Sequence, residues 1–222
     1  MRRKVFATYT GWLILVNVVA FLGFLVLLNS VNPDKAVEYV ALQPESILQG
    51  KYVWTFLTSM FMHASLGHLF VNMLSLLFIG SFVERLIGKK RYLGLYFVGG
   101  LFAGLFFVVL AGLFGWSELG AKIFGSPEAF AVGASGAIFC LGGLLAVLTP
   151  RLPVLVFFII PMPMWLAMVG LTGILWVASL ALPINIGNTA HFGGLLLGVA
   201  YGFYLKKKYP RKTKMISRYF SR

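Results

Sequence analysis

Five residues in or beside long apolar runs are of types and spacings that can do chemistry: Ser135, His63, His68, His191 and Asn72. Ser135 sits in Gly133-Ala134-Ser135-Gly136, at the head of a predicted helix. A serine between small residues has two readings. One is a close contact between membrane helices. The other is a nucleophile whose backbone N–H, free at a helix N-terminus, also helps hold an oxyanion. A serine hydroxyl needs a base to take its proton, and His191 is the candidate. His68 and Asn72 are four apart, one turn along the same side of a helix with Ser75 beneath, and can donate to a developing oxyanion. His63 has a different helical phase and reads as structural. No carboxylate is placed to orient His191, so a Ser–His dyad is expected, and a slow one. In a soluble serine protease, losing the orienting Asp costs about 10⁴ in turnover.

The elements that position these residues follow from composition. The chain has 222 residues, 59% of them hydrophobic and 11% charged, about half the charge usual for a soluble domain. It is therefore expected to be an integral membrane protein of one domain, 1–222, with a core of about 52–205 and a basic tail at 206–222. The net charge of +13 would point to nucleic acid in a soluble protein. Here the cations flank apolar runs, as cytoplasmic flanks do, so no nucleic-acid partner is expected. The single Cys140 gives no disulfide framework.

The first apolar run, about 12–28, follows Arg2, Arg3 and Lys4; it is long for a signal peptide and is expected to be a retained helix. An outer loop, 29–58, ends in aromatic residues suited to the membrane interface. Further helices are predicted over about 61–83, 93–113, 134–149, 164–180 and 189–205, the fifth preceded by an apolar connection through Pro161 and Pro163. The fourth is about 24 Å long at 1.5 Å per residue, too short for a ~30 Å core. Its head, with Ser135, is expected below the membrane surface. The tail from Lys206 is expected to be partly disordered or to rest on anionic lipid. Sixteen of the nineteen cations fall in segments that alternate with the acid-bearing loops, where five of the six acids lie. The prediction is an all-α integral membrane bundle of six transmembrane helices with both termini cytoplasmic, multi-pass in the cell (plasma or inner) membrane.

In that topology the second, fourth and sixth helices run in one direction, and each carries its polar residues near its start. Intramembrane polar residues are costly, so their convergence at one depth argues for a site. His191, Gly194, Gly198 and Gly202 fall within about 80° of arc at 100° per residue. Ser135, Gly142 and Ala146 share a face of the fourth helix. Two such small-residue faces can bring Ser135 to His191.

His63-Ala64-Ser65-Leu66-Gly67-His68 with Asn72, then Gly133-Ala134-Ser135-Gly136, then Ala190-His191-Phe192-Gly193-Gly194, resemble the three signatures of rhomboid intramembrane serine proteases. The resemblance spans about 52–202. It implies a six-helix rhomboid-like bundle, a Ser135–His191 dyad, an oxyanion site including His68 and Asn72, and cleavage of transmembrane protein substrates near the outer face of the bilayer. Two positions depart from the family pattern. Trp54 is followed by Thr55 where the family usually has arginine, and Phe139 stands where tyrosine is often found, keeping the capacity to stack on the histidine but no hydroxyl.

Three histidines can ligate a metal or haem, but no His-Glu-x-x-His helix and no nearby carboxylate accompany them, so no metal and no cofactor are expected. A non-catalytic rhomboid-like binder of membrane clients is the alternative, and such relatives lack the dyad. A transporter is disfavoured by the shortage of intramembrane charge and the lack of an evident repeat.

Overall fold

The computed structural model describes residues 8–156, 159–182 and 186–220; the basic residues Arg2, Arg3 and Lys4, the loop residue Pro183 and Arg222 lie outside them. Local chemistry starts each rod. The Thr8 hydroxyl accepts from the Gly11 N–H and caps α1, Tyr9–Ser30. The segment expected as a plain loop is instead built of short helices. Asn32 caps α2, Pro33–Val40, with Pro33 in the first turn and Asp34 favoured by the helix dipole. α3, Pro44–Leu48, and α4, Thr55–Thr58, complete it.

The second rod starts later than apolarity predicts, because Ser65 caps α5, Leu66–Ser75, and residues 62–65 stay outside the helix. α5 passes through a π-helical turn, Leu76–Gly80, into α6, Ser81–Ile87. Gly88, at φ +86°, breaks the chain into α7, Lys89–Phe114. Ser117 caps α8, Glu118–Phe124, and Gly125 closes it. α9, Ser135–Leu148, is followed by a hairpin of β1, Pro153–Val156, and β2, Ile160–Pro163, pairing antiparallel with Pro153 opposite Pro163. α10, Met164–Ala181, leads to α11, Asn188–Lys208. The tail, expected to be partly disordered or to rest on anionic lipid, is helical: α12, Pro210–Tyr219, seats Thr213 against the bundle.

The rods run between two ends. At one, Arg91 at the start of α7 donates to the Tyr209 hydroxyl after α11, and the Glu84 carboxylate of α6 accepts from the backbone of Tyr9 and Thr10 in α1. This is the basic end. At the other, Leu42 and Ala131 exchange backbone hydrogen bonds, and Thr189 donates to the Phe124 carbonyl. α5, α9 and α11 therefore all begin at the same end, with His68, Ser135 and His191 in their first turns.

Among the described residues, Tyr9–Ser30, Leu66–Ile87, Lys89–Phe114 and Met164–Ala181 are long and apolar enough to cross a membrane. α9, at 14 residues, is about 21 Å long. It is the hub: every residue from Gly136 to Leu148 is buried except the half-buried Ala146, as expected of a helix that is hydrophobic all round. Val19, Leu22 and Val26 of α1, Val98, Leu105 and Val109 of α7, and Ile174 and Val177 of α10 remain exposed. An apolar exterior over rods of this length is that of a multi-pass membrane protein.

Candidate active site

Ser135 opens α9 behind Gly133, whose φ of +124° suits only glycine and whose N–H donates to the Ser59 carbonyl at 2.8 Å. As first residues of a helix, Ser135 and its neighbours carry N–H groups with no partner inside the helix. His191 lies in the first turn of α11. Its Nε2 is 2.8 Å from Ser135 Oγ. The imidazole lies flat on Phe139, ring centroids 4.5 Å apart and planes 5° from parallel. Its Nδ1 is buried and meets no hydrogen-bonding side chain or carbonyl among the described residues. In the tautomer with the proton on Nδ1, Nε2 accepts from the serine hydroxyl.

Glycine is why the pair meets. One turn beyond His191, a Cβ on Gly194 would strike the Gly136 carbonyl; one turn further, a Cβ on Gly198 would strike the Cys140 carbonyl. The face of α9 that packs on α11 is thus Gly136, Cys140, Gly143 and Val147. It is not the predicted face of Ser135, Gly142 and Ala146, because Gly142 looks at Met168 of α10. Ser135 is one position off the contact line, and its side chain reaches across it.

His68 is brought to the same place. A Cβ on Gly133 would lie 3.0 Å from His68 Nε2 and 3.6 Å from Ser135 Oγ, so the missing side chain leaves a small space between the two. Asn72 is buried, and its amide donates to the His68 carbonyl at 2.9 Å, an i−4 bond within α5. That leaves one amide N–H of Asn72 for another acceptor. His63, expected to point elsewhere, packs its ring edge-on against His68 at 5.1 Å. Helical phase does not govern His63, because it precedes the helix. It is 1% exposed, and burial, with His68 adding to it, pushes its pKa down to about 4.

The loop with the Trp54-Thr55 departure is held by other means. Trp54 Nε1 donates to the Tyr39 carbonyl, Thr55 Oγ1 to the Tyr52 carbonyl, and the rings of Tyr39, Tyr52 and Trp54 contact one another. Residues that sequence reasoning did not reach also shape the site. Ser59 anchors Gly133, and Trp176 donates to the Ile123 carbonyl while its ring meets Phe192 beside His191. Nothing local in the sequence marks either. Among the described residues, no group of three or more His, Cys, Asp or Glu side chains is arranged to hold a metal ion.

Residues 50–208 match the Rhomboid domain. The chain is similar to the Rhomboid protease GluP of Bacillus subtilis (strain 168), 32% identical over 200 residues that cover 86% of this chain and 33% of that protein. It is similar to Rhomboid protein 1, mitochondrial, of Saccharomyces cerevisiae, 29% identical over 180 residues covering 78% and 49%. A shorter match, 33% over 81 residues covering 36% and 23%, is to the Inactive RHOMBOID-like protein 8 of Arabidopsis thaliana. The chain thus spans a third to a half of the length of the first two.

Proposed function

The chain belongs to the rhomboid family, and from that premise we propose that it is an intramembrane serine endopeptidase using a Ser135–His191 dyad. The single observation that carries the reading is the 2.8 Å approach of His191 Nε2 to Ser135 Oγ. The substrate class is the transmembrane segment of another membrane protein, cut near the outer face of the bilayer. The chain acts as one domain of six transmembrane rods in the plasma or inner membrane, the short α9 reaching through only part of its thickness, with both termini cytoplasmic; the excess of cations at the basic end supports that orientation.

In the proposed reaction His191 Nε2 takes the Ser135 proton as Oγ attacks the scissile carbonyl carbon. The carbonyl oxygen becomes an oxyanion in the space beside Gly133, held by the Ser135 N–H, the His68 ring and the free amide N–H of Asn72. Collapse breaks the C–N bond, and His191 returns the proton to the leaving amine. Water then attacks the acyl-serine by the same route in reverse, with His191 again the base. Phe139 holds the imidazole plane in place of a carboxylate.

A fluorophosphonate probe tests the nucleophile. Wild-type protein in detergent is expected to be labelled, and Ser135→Ala and His191→Ala protein to be neither labelled nor able to cut single-span substrates in liposomes. Undiminished cleavage by either variant would remove the dyad. Wild-type protein that is folded, unlabelled and inert, yet retains substrate helices, would make it the non-catalytic binder.

A further inference from the structure

The proteolytic reading leaves the C-terminal helix unused. Tyr209, at φ −131° and ψ 57°, ends α11, and Pro210 opens α12. Thr213 is buried, and the Phe220 ring meets Phe82 of α6 at 5.4 Å. α12 therefore lies against the basic end, seated by one face. At 100° per residue, Thr213, Ile216, Ser217 and Phe220 fill about 100° of arc toward the bundle. Lys214, Arg218, Arg211, Met215, Tyr219 and Lys212 fill about 160° on the other side, and all six are exposed. Met215 and Tyr219, 68% and 76% exposed, stand in the middle of the cations.

Among the described residues, none of these four cations has an acidic partner. The one ion pair among the described residues, Lys122–Glu118, is in α8 at the other end. Glu84, the one acid at this end, is buried, and its two oxygens are taken by Tyr9 and Thr10. Lys206, Lys207 and Lys208 in the last turn of α11 extend the same field.

We propose that the outward face of α12 is a docking surface for the anionic phospholipid headgroups of the leaflet at the basic end. Charge complementarity calls for a polyanion. The exposed thioether and phenol ring among the cations select a membrane surface over a soluble acidic protein or RNA, because the headgroup–acyl boundary takes up both kinds of side chain together. The body to which α12 is fastened is a multi-pass membrane protein, so this face is held within reach of headgroups, and the long stems of Lys and Arg close the remaining distance. Each cation near an anionic surface contributes about 1 kcal/mol, about fivefold in affinity. The inference does not depend on Ser135 being a nucleophile.

A spin label at Met215→Cys in the full chain tests it, the native Cys140 being buried. The protein is reconstituted in phosphatidylcholine vesicles with and without phosphatidylglycerol, and accessibility of the label to a water-soluble nickel chelate is measured. Phosphatidylglycerol is expected to cut that accessibility about fivefold or more. The protection should vanish at ~1 M salt, where the Debye length is about 3 Å. It should be absent when Arg211, Lys212, Lys214 and Arg218 are all changed to Gln, and kept when Lys212 and Lys214 are changed to Arg. Equal accessibility in the two vesicles would overturn the proposal. So would protection that appears only on adding polyglutamate or RNA.

Discussion

In the proposed dyad, packing takes the place of a third catalytic residue. An orienting carboxylate normally holds a catalytic imidazole by one hydrogen bond; here the flat face of Phe139, 4.5 Å away, fixes the ring plane instead. The oxyanion assignment divides unevenly between its donors. His68 borders the Gly133 space directly, while Asn72 spends one N–H on the His68 carbonyl. If the other N–H serves the oxyanion, Asn72→Ala will lower turnover by about 10²–10³, and an unchanged kcat would confine Asn72 to bracing α5. His63 makes a pH prediction. Its folded pKa of about 4 lies below the ordinary 6.5, so the unfolded chain takes up the proton first. The stability it contributes is complete above about pH 6.5 and is lost as pH falls toward 4. The thermal midpoint in detergent should fall over that window, and fall less in His63→Phe, which keeps the ring edge against His68 without the titrating nitrogens.

At the scale of elements, the contact between α9 and α11 sets the separation of Ser135 and His191, on which the proposed chemistry depends. Backbone lies on backbone at Gly194–Gly136 and Gly198–Cys140, and a methyl group there must drive the helices apart. A displacement of about 1 Å at reacting atoms costs about 10² in rate. Gly194→Ala is therefore expected to lose about two orders of magnitude in kcat, read in the liposome assay. Gly170→Ala on α10 is the control: nothing lies within 4 Å of its Cβ position, so activity should hold, and stability should rise by up to about 1 kcal/mol from helix propensity.

Over the whole molecule, one buried carboxylate fastens the first rod to the rest. Glu84 accepts from the N–H groups of Tyr9 and Thr10 and from the Thr10 hydroxyl, which also bonds Tyr92. An anion at a helix N-terminus is favoured by the dipole and by the unpaired amides there. Glu84→Ala leaves those donors buried and unpaired, at a cost of about 3 kcal/mol. A clear drop in thermal midpoint is the expected result, with Ser135 still labelled by the probe at low temperature. An unaltered midpoint would mean that α1 is held by apolar packing alone.

Much of this was open to a reader of the residues alone. Apolar runs of given length dictate rods in lipid, polar residues stranded in them mark a site, and small residues at helical spacing announce close packing; Ser135, His191, His68 and Asn72 follow from those rules. What sequence periodicity could not reach was relational. The face of α9 that meets α11 depended on competition with α7 and α10 for the same small residues. The position of His63 depended on a cap at Ser65 that ended the helix early, and the order in residues 33–58 and in α12 depended on partners distant in the chain. Local spacing reports which side chains share a face, but only the packed structure decides which face is turned toward which neighbour, because that choice is made by all the helices at once.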